Sequence, residues 1–225
     1  MDAWTADLIK NASNVILGWV LGLGSAAFTD WRRERKGAKA IKTAISCELR
    51  ETAQRLLCLI YKIEGRFGRL NREVLEWMKP QIQKYAGPNP KDGMLAGVTG
   101  LLAQSDQELS KLLAVHLQQT IPPHSMPLMP REEASYTAGA IGQLEKFDSA
   151  YAVRVLDILA HIRILNDARE NGLYYARLTY EPGLSPENYG KAVANVAQAD
   201  EQVAKRARII VDKITALESK FPPDV

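Results

Sequence analysis

The stretch LIKNASNVILGWVLGLGSAAF, residues 8–28, decides how the rest of the chain is read. Val15 to Phe28 carries no charge, and Lys10 is the one charged residue between Leu8 and Phe28. A membrane helix needs ~20 mostly apolar residues, so the length suffices narrowly. Trp4 and Trp31 bracket the segment, where interfacial aromatics belong. Arg32, Arg33, Arg35, Lys36, Lys39 and Lys42 follow, opposed there only by Glu34, and the positive-inside rule assigns that end to the cytoplasm. Asp2, Asp7 and Lys10 make the preceding end weakly charged and easier to translocate. A cleaved signal peptide would find a small-residue site at Ser25-Ala26-Ala27, but it wants positive charge before the apolar run, and here the charge comes after. A buried core helix is the other alternative. The expectation is a single-pass inner (cytoplasmic) membrane protein, with a transmembrane helix over residues 1–31 and an all-α cytoplasmic bundle over residues 32–225.

The segment is also patterned. Asn11, Asn14, Gly18, Gly22 and Ser25 are spaced by 3, 4, 4 and 3, which lines them up on one helix face. Gly18 and Gly22 form a GxxxG pair, and asparagine at membrane depth needs a partner helix or water. The stripe therefore predicts self-association, and in several copies a pore lining. Gly22-x-Gly24-x-x-Ala27 matches a dinucleotide fingerprint on paper. No alternating strand pattern follows it, so the match is rejected.

Downstream, apolar positions step by 3 or 4. Ile45, Leu49, Thr52, Leu56, Leu59, Ile63, Phe67, Leu70, Val74 and Trp77 predict a long helix from Trp31 to Lys79. Gly65 and Gly68 are its bending points, and Pro80 starts its end. Residues 87–93 read as a turn. A shorter helix over Met94–Gln119 breaks near Gly97–Gly100. Residues 121–130 hold Pro122, Pro123, Pro127 and Pro130 and form a loop, whose Met126, Leu128 and Met129 suit packing on a neighbour or partner. A long helix spans Arg131 to Leu178, with Ile141, Leu144, Asp148, Tyr151, Val155, Ile158, Ile162 and Leu165 on its seam. Ser185 and Pro186 open the last helix, whose seam runs Val193, Val196, Asp200, Val203, Ala207, Ile210, Ile214, Leu217. Steps near 3.5 in three helices predict bundle packing, and Asp148 and Asp200 on the seams demand partners.

Composition narrows the chemistry. With 46% hydrophobic and 24% charged residues the chain is ordinary globular material, and a net charge of +3 gives no general attraction to nucleic acid. The basic cluster lacks aromatic interleaving, so nucleic-acid binding there is unsupported, and contact with anionic lipid headgroups explains it. Cys47 and Cys58 are the only cysteines. On one helix they lie ~16 Å apart along the axis, too far for a disulfide. No metal set and no cofactor motif is present. His116 and His124 flank the proline-rich stretch without a cysteine or paired acid and read as incidental.

Arg154, Asp157 and His161 fall at i, i+3 and i+7 and share a helix face. The arginine-to-histidine spacing resembles the loose motif of the HEPN superfamily of helical ribonucleases. That resemblance implies acid–base chemistry for His161 and phosphate binding for Arg154, but Val155 departs from the polar residue usual after the arginine. Architecture and spacing together resemble small membrane effectors of anti-phage systems, of the pore-forming, HEPN-like kind that accompany some CRISPR systems. The likeness implies a homo-oligomer that permeabilises the inner membrane when a partner signals. Two alternatives stand beside it: a scaffold or sensor bundle that engages a protein partner, and a tethered ribonuclease.

Overall fold

A computed structural model describes residues 3–85, 91–119 and 131–222, with side chains described for 34–85, 91–115 and 131–222. The described residues form α-helices and one 3₁₀ helix, with no strand among them. In order they are α1 (Ala3–Arg66), α2 (Arg72–Lys84), α3 (Asp92–Leu102), α4 (Asp106–Gln119) and α5 (Ser135–Gly139). The 3₁₀ helix (Ile141–Lys146), α6 (Ser149–Leu178) and α7 (Pro186–Lys220) follow. The chain divides into two compact units, Met1–Thr43 and Ala44–Pro223.

The first unit lies in the N-terminal part of α1, which contains the stretch at residues 8–28. Among the described residues no helix is long and apolar enough to cross a membrane. This corrects the expected transmembrane helix, and with it the single-pass inner-membrane location and the cytoplasmic placement of the body. The physical reason is dilution. Within residues 8–28, Lys10, Asn11, Ser13 and Asn14 and then Gly18, Gly22, Gly24 and Ser25 lower the apolarity of a segment whose length only just suffices. The side chains of Asn11, Asn14, Gly18, Gly22, Ser25, Arg32 and Arg33 lie outside those described. Lys36 is exposed, while Arg35, Lys39 and Lys42 each have an interaction partner.

The second unit is built on the predicted periodicities. Ile45, Leu49, Thr52, Leu56, Leu59 and Ile63 on α1 are buried, as are Tyr151, Val155, Ile158, Ile162 and Leu165 on α6. On α7 the seam from Val196 through Val203, Ala207, Ile210 and Ile214 to Leu217 is buried too. Each fully buried Leu or Ile contributes about 1.5–3 kcal/mol relative to exposure. α6 and α7 form a helical hairpin turned at Pro182-Gly183, where Gly183 takes φ 86. The left-handed backbone there suits glycine. Ser185 caps α7 by accepting from the Asn188 N–H, with Pro186 in the first turn as predicted.

Element boundaries differ from expectation in four places. The long helix stops at Arg66, not Lys79. Gly68, at φ 67, ends it while the Arg69 and Leu70 N–H groups donate back to the Glu64 carbonyl. Asn71 then caps α2 by accepting from the Val74 N–H at 3.0 Å, and Pro80 sits inside α2 rather than at its end. The break between α3 and α4 lies at 103–105, not at Gly97–Gly100, because Ser105 and Glu108 form a capping box there. Those hydrogen bonds from Ser105 also hold the Glu108 carboxyl below its ordinary pKa. Finally, the helix expected over Arg131–Leu178 is three elements. Asp148, expected on a seam, is the exposed N-cap of α6 and accepts from the Ala150 N–H at 2.7 Å. The proline-rich residues 121–130 and His124 lie outside the described residues, as does the side chain of His116.

Candidate functional site

Asp200 is the seam acid whose partner the sequence could not name. It is fully buried on α7 and accepts from Arg66 Nη1 at 3.0 Å, the arginine being itself 5% exposed. Burial outweighs Arg66 and the nearby Arg69 and pushes the Asp200 carboxyl up to about 6. One carboxylate oxygen, Asp200 Oδ1, has no hydrogen-bond partner. The pair is buried in the core near the end of α1.

The Arg154/Asp157/His161 constellation is only partly assembled. His161 Nε2 lies 3.6 Å from Asp157 Oδ1, and Asp157 Oδ2 accepts from Lys213 Nζ of α7 at 2.5 Å. His161 Nδ1 is buried without a hydrogen-bond partner. Arg154 is exposed and has no hydrogen bond or ion pair with either residue. Seven positions separate it from His161, about 10 Å along the helix axis. The Asp157–Lys213 pair ties α6 to α7, with His161 beside it. Among the described residues no three His, Cys, Asp or Glu side chains are grouped to hold a metal.

A different face of α6 carries the surface with the clearest recognition chemistry. Val153 is 64% exposed, Leu156 43% and Ile164 42%, and Ala160 between them is exposed as well. Their spacing of 3, 4 and 4 makes a single outward ridge about 16 Å long. α6 is therefore apolar on two sides, the inner packed against the bundle and the outer facing solvent.

Beside the ridge runs an open cleft of about 480 Å³, with Ala160 common to both. Leu159, Ile162 and Arg163 line it from α6, while Ala134, Ala138 and the 45% exposed Ile141 line it from the opposite wall. That wall is held from below. The Glu48 carboxylate of α1 accepts from the Thr137 N–H at 2.7 Å, the Thr137 hydroxyl at 2.6 Å and the Tyr136 N–H at 2.9 Å, capping the short α5. The buried Asn166 amide makes a two-way clasp with the Glu132 backbone, at 2.8 and 3.1 Å. Arg55 donates to the Glu132 carboxylate at 2.9 Å. These bonds fix the cleft before any partner arrives, which lowers the ordering cost of binding. Arg131, Glu133 and Arg163 supply charge at the rim.

None of the ridge residues was singled out from sequence. The signal was present, since the run from Tyr151 to Leu165 carries a second 3–4 series offset from the core series. No protein family, curated protein or solved structure matches this chain.

Proposed function

We propose that this chain is an interaction scaffold that binds a partner protein's amphipathic helix along the outer face of α6. The observation that carries the reading is the ridge of Val153, Leu156, Ala160 and Ile164 beside a preformed apolar cleft. Contiguous exposed apolar surface with a polar rim marks protein-binding sites. A ridge at helical spacing next to a groove suits a helix that presents apolar residues at i, i+3 or i+4 and i+7. The small Ala160 at mid-ridge permits close approach of the two helix axes.

A photoreactive residue at position 153 identifies the partner by cross-linking in the native host. With that partner purified, the doubly substituted Leu156→Glu/Ile164→Glu chain should bind at least about 100-fold more weakly, since buried interface anchors are worth about 2 kcal/mol or more each. Equal affinity of the variant and the unmodified chain would refute the assignment.

A further inference from the structure

The α6–α7 hairpin carries a second concavity that differs in chemistry from the apolar cleft. Asn171 and Tyr175 of α6 face Asn195, Gln198 and Gln202 of α7 across a cleft of about 290 Å³, with Ala168 and Ala199 also lining it. No charged side chain lines it. Among the described residues, none of these four carboxamides has a hydrogen-bond partner, and neither does the Tyr175 hydroxyl. Each carboxamide offers two N–H donors and a carbonyl acceptor, and the phenol offers one donor and an acceptor.

We infer that this cleft is a binding site for a neutral carbohydrate of mono- or disaccharide size. The reasoning proceeds by exclusion and fit. A charged ligand would leave water for a wall with no opposite charge, and neutral amides offset that desolvation cost only in part. An apolar ligand would displace water from four amides and leave their donors and acceptors unpaired. A peptide segment needs apolar recesses for its side chains, and Ala168 and Ala199 provide only shallow ones. A sugar ring presents closely spaced hydroxyls that both donate and accept, matching a row of carboxamides. Its C–H face suits the aromatic wall supplied by Tyr175. At 290 Å³ the cleft lies near the small end of the range for ligand sites.

The test uses the full chain labelled with nitrogen-15, reading the side-chain NH₂ resonances of Asn171, Asn195, Gln198 and Gln202. Glucose, galactose, N-acetylglucosamine and their β-1,4-linked disaccharides are titrated, with glucuronate and a terminally blocked alanine tripeptide as comparators. The expected result is saturable shifts of these amide signals with at least one neutral sugar, at a dissociation constant of about 1 mM or tighter. The shifts should vanish in Gln198→Leu/Gln202→Leu, two exposed positions whose substitution leaves the folded spectrum in place. Absence of saturation by every neutral sugar would overturn the inference. So would saturation by the tripeptide or by glucuronate in their stead. Binding at the α6 outer ridge is read separately, so either result leaves that proposal standing or falling on its own test.

Discussion

Asp200 shows how one residue's surroundings set its chemistry. Its carboxyl titrates near 6 in the fold because burial penalises the charge more than Arg66 and Arg69 relieve it. A carboxyl whose folded pKa is raised above the unfolded value binds more protons in the native state between those two values. Stability from this group is therefore gained as pH falls through about 6 and lost as pH rises through it. Converted by linkage, the difference between pH 8 and pH 4 is about 2 kcal/mol for this residue. Subtracting the Asp200→Asn profile from that of the unmodified chain, by urea denaturation across this range, should reveal that slope. Arg66→Met strands the carboxylate and should destabilise the chain by about 3–5 kcal/mol at pH 8, and by clearly less at pH 5, where the acid is protonated. The cysteines give a simpler contrast. Cys47 is exposed, whereas burial raises the Cys58 thiol pKa and its sulfur lies 3.6 Å from the Met94 sulfur. A thiol reagent at neutral pH should modify Cys47 rapidly and Cys58 slowly, because the thiolate is the reacting form. The need for a partner at position 200 was legible from the seam. Its identity was not, since Arg66 lies 134 positions away and only the fold brings the two together.

At the scale of single elements, caps decide where helices stop. Ser185-Pro186 could be read in advance because the whole capping signal is local. α5 could not, because its cap is the carboxylate of Glu48, 88 and 89 residues distant from the N–H groups it accepts. Glu48→Ala removes that cap and should lower stability by about 1 kcal/mol, within the usual range for helix caps. It should also speed amide exchange at Tyr136 and Thr137, which hydrogen-exchange measurements would detect. α6 shows a second limit of periodicity. A core series and a ridge series share one helix, and choosing the inner one hides the outer. Leu156 and Ile164 are exposed, so glutamate at both should change unfolding free energy by no more than about 1 kcal/mol in denaturant titration. That separates a binding surface from a structural one. A loss of several kcal/mol would mean that the ridge is packed in the native fold.

At the scale of the whole molecule, the all-helical class and the core of the second unit followed from 3–4 spacing alone. Seams on α1, α6 and α7 are buried nearly residue for residue as the pattern requires. The membrane expectation failed because flanking tryptophans and a basic cluster describe how a span would be oriented, while apolar length decides whether one exists. The shared spacing of Arg154 and His161 puts them on one helix face, but spacing alone does not aim side chains at a common point. The most direct test of the interaction surface is a photo-cross-linking scan, one position at a time, over residues 152–165 of α6. Helix-on-helix docking predicts strong partner cross-links at 153, 156, 160 and 164, with none at the buried positions 155, 158 and 165. Yields without that periodicity, or no partner cross-link at any position, would contradict it.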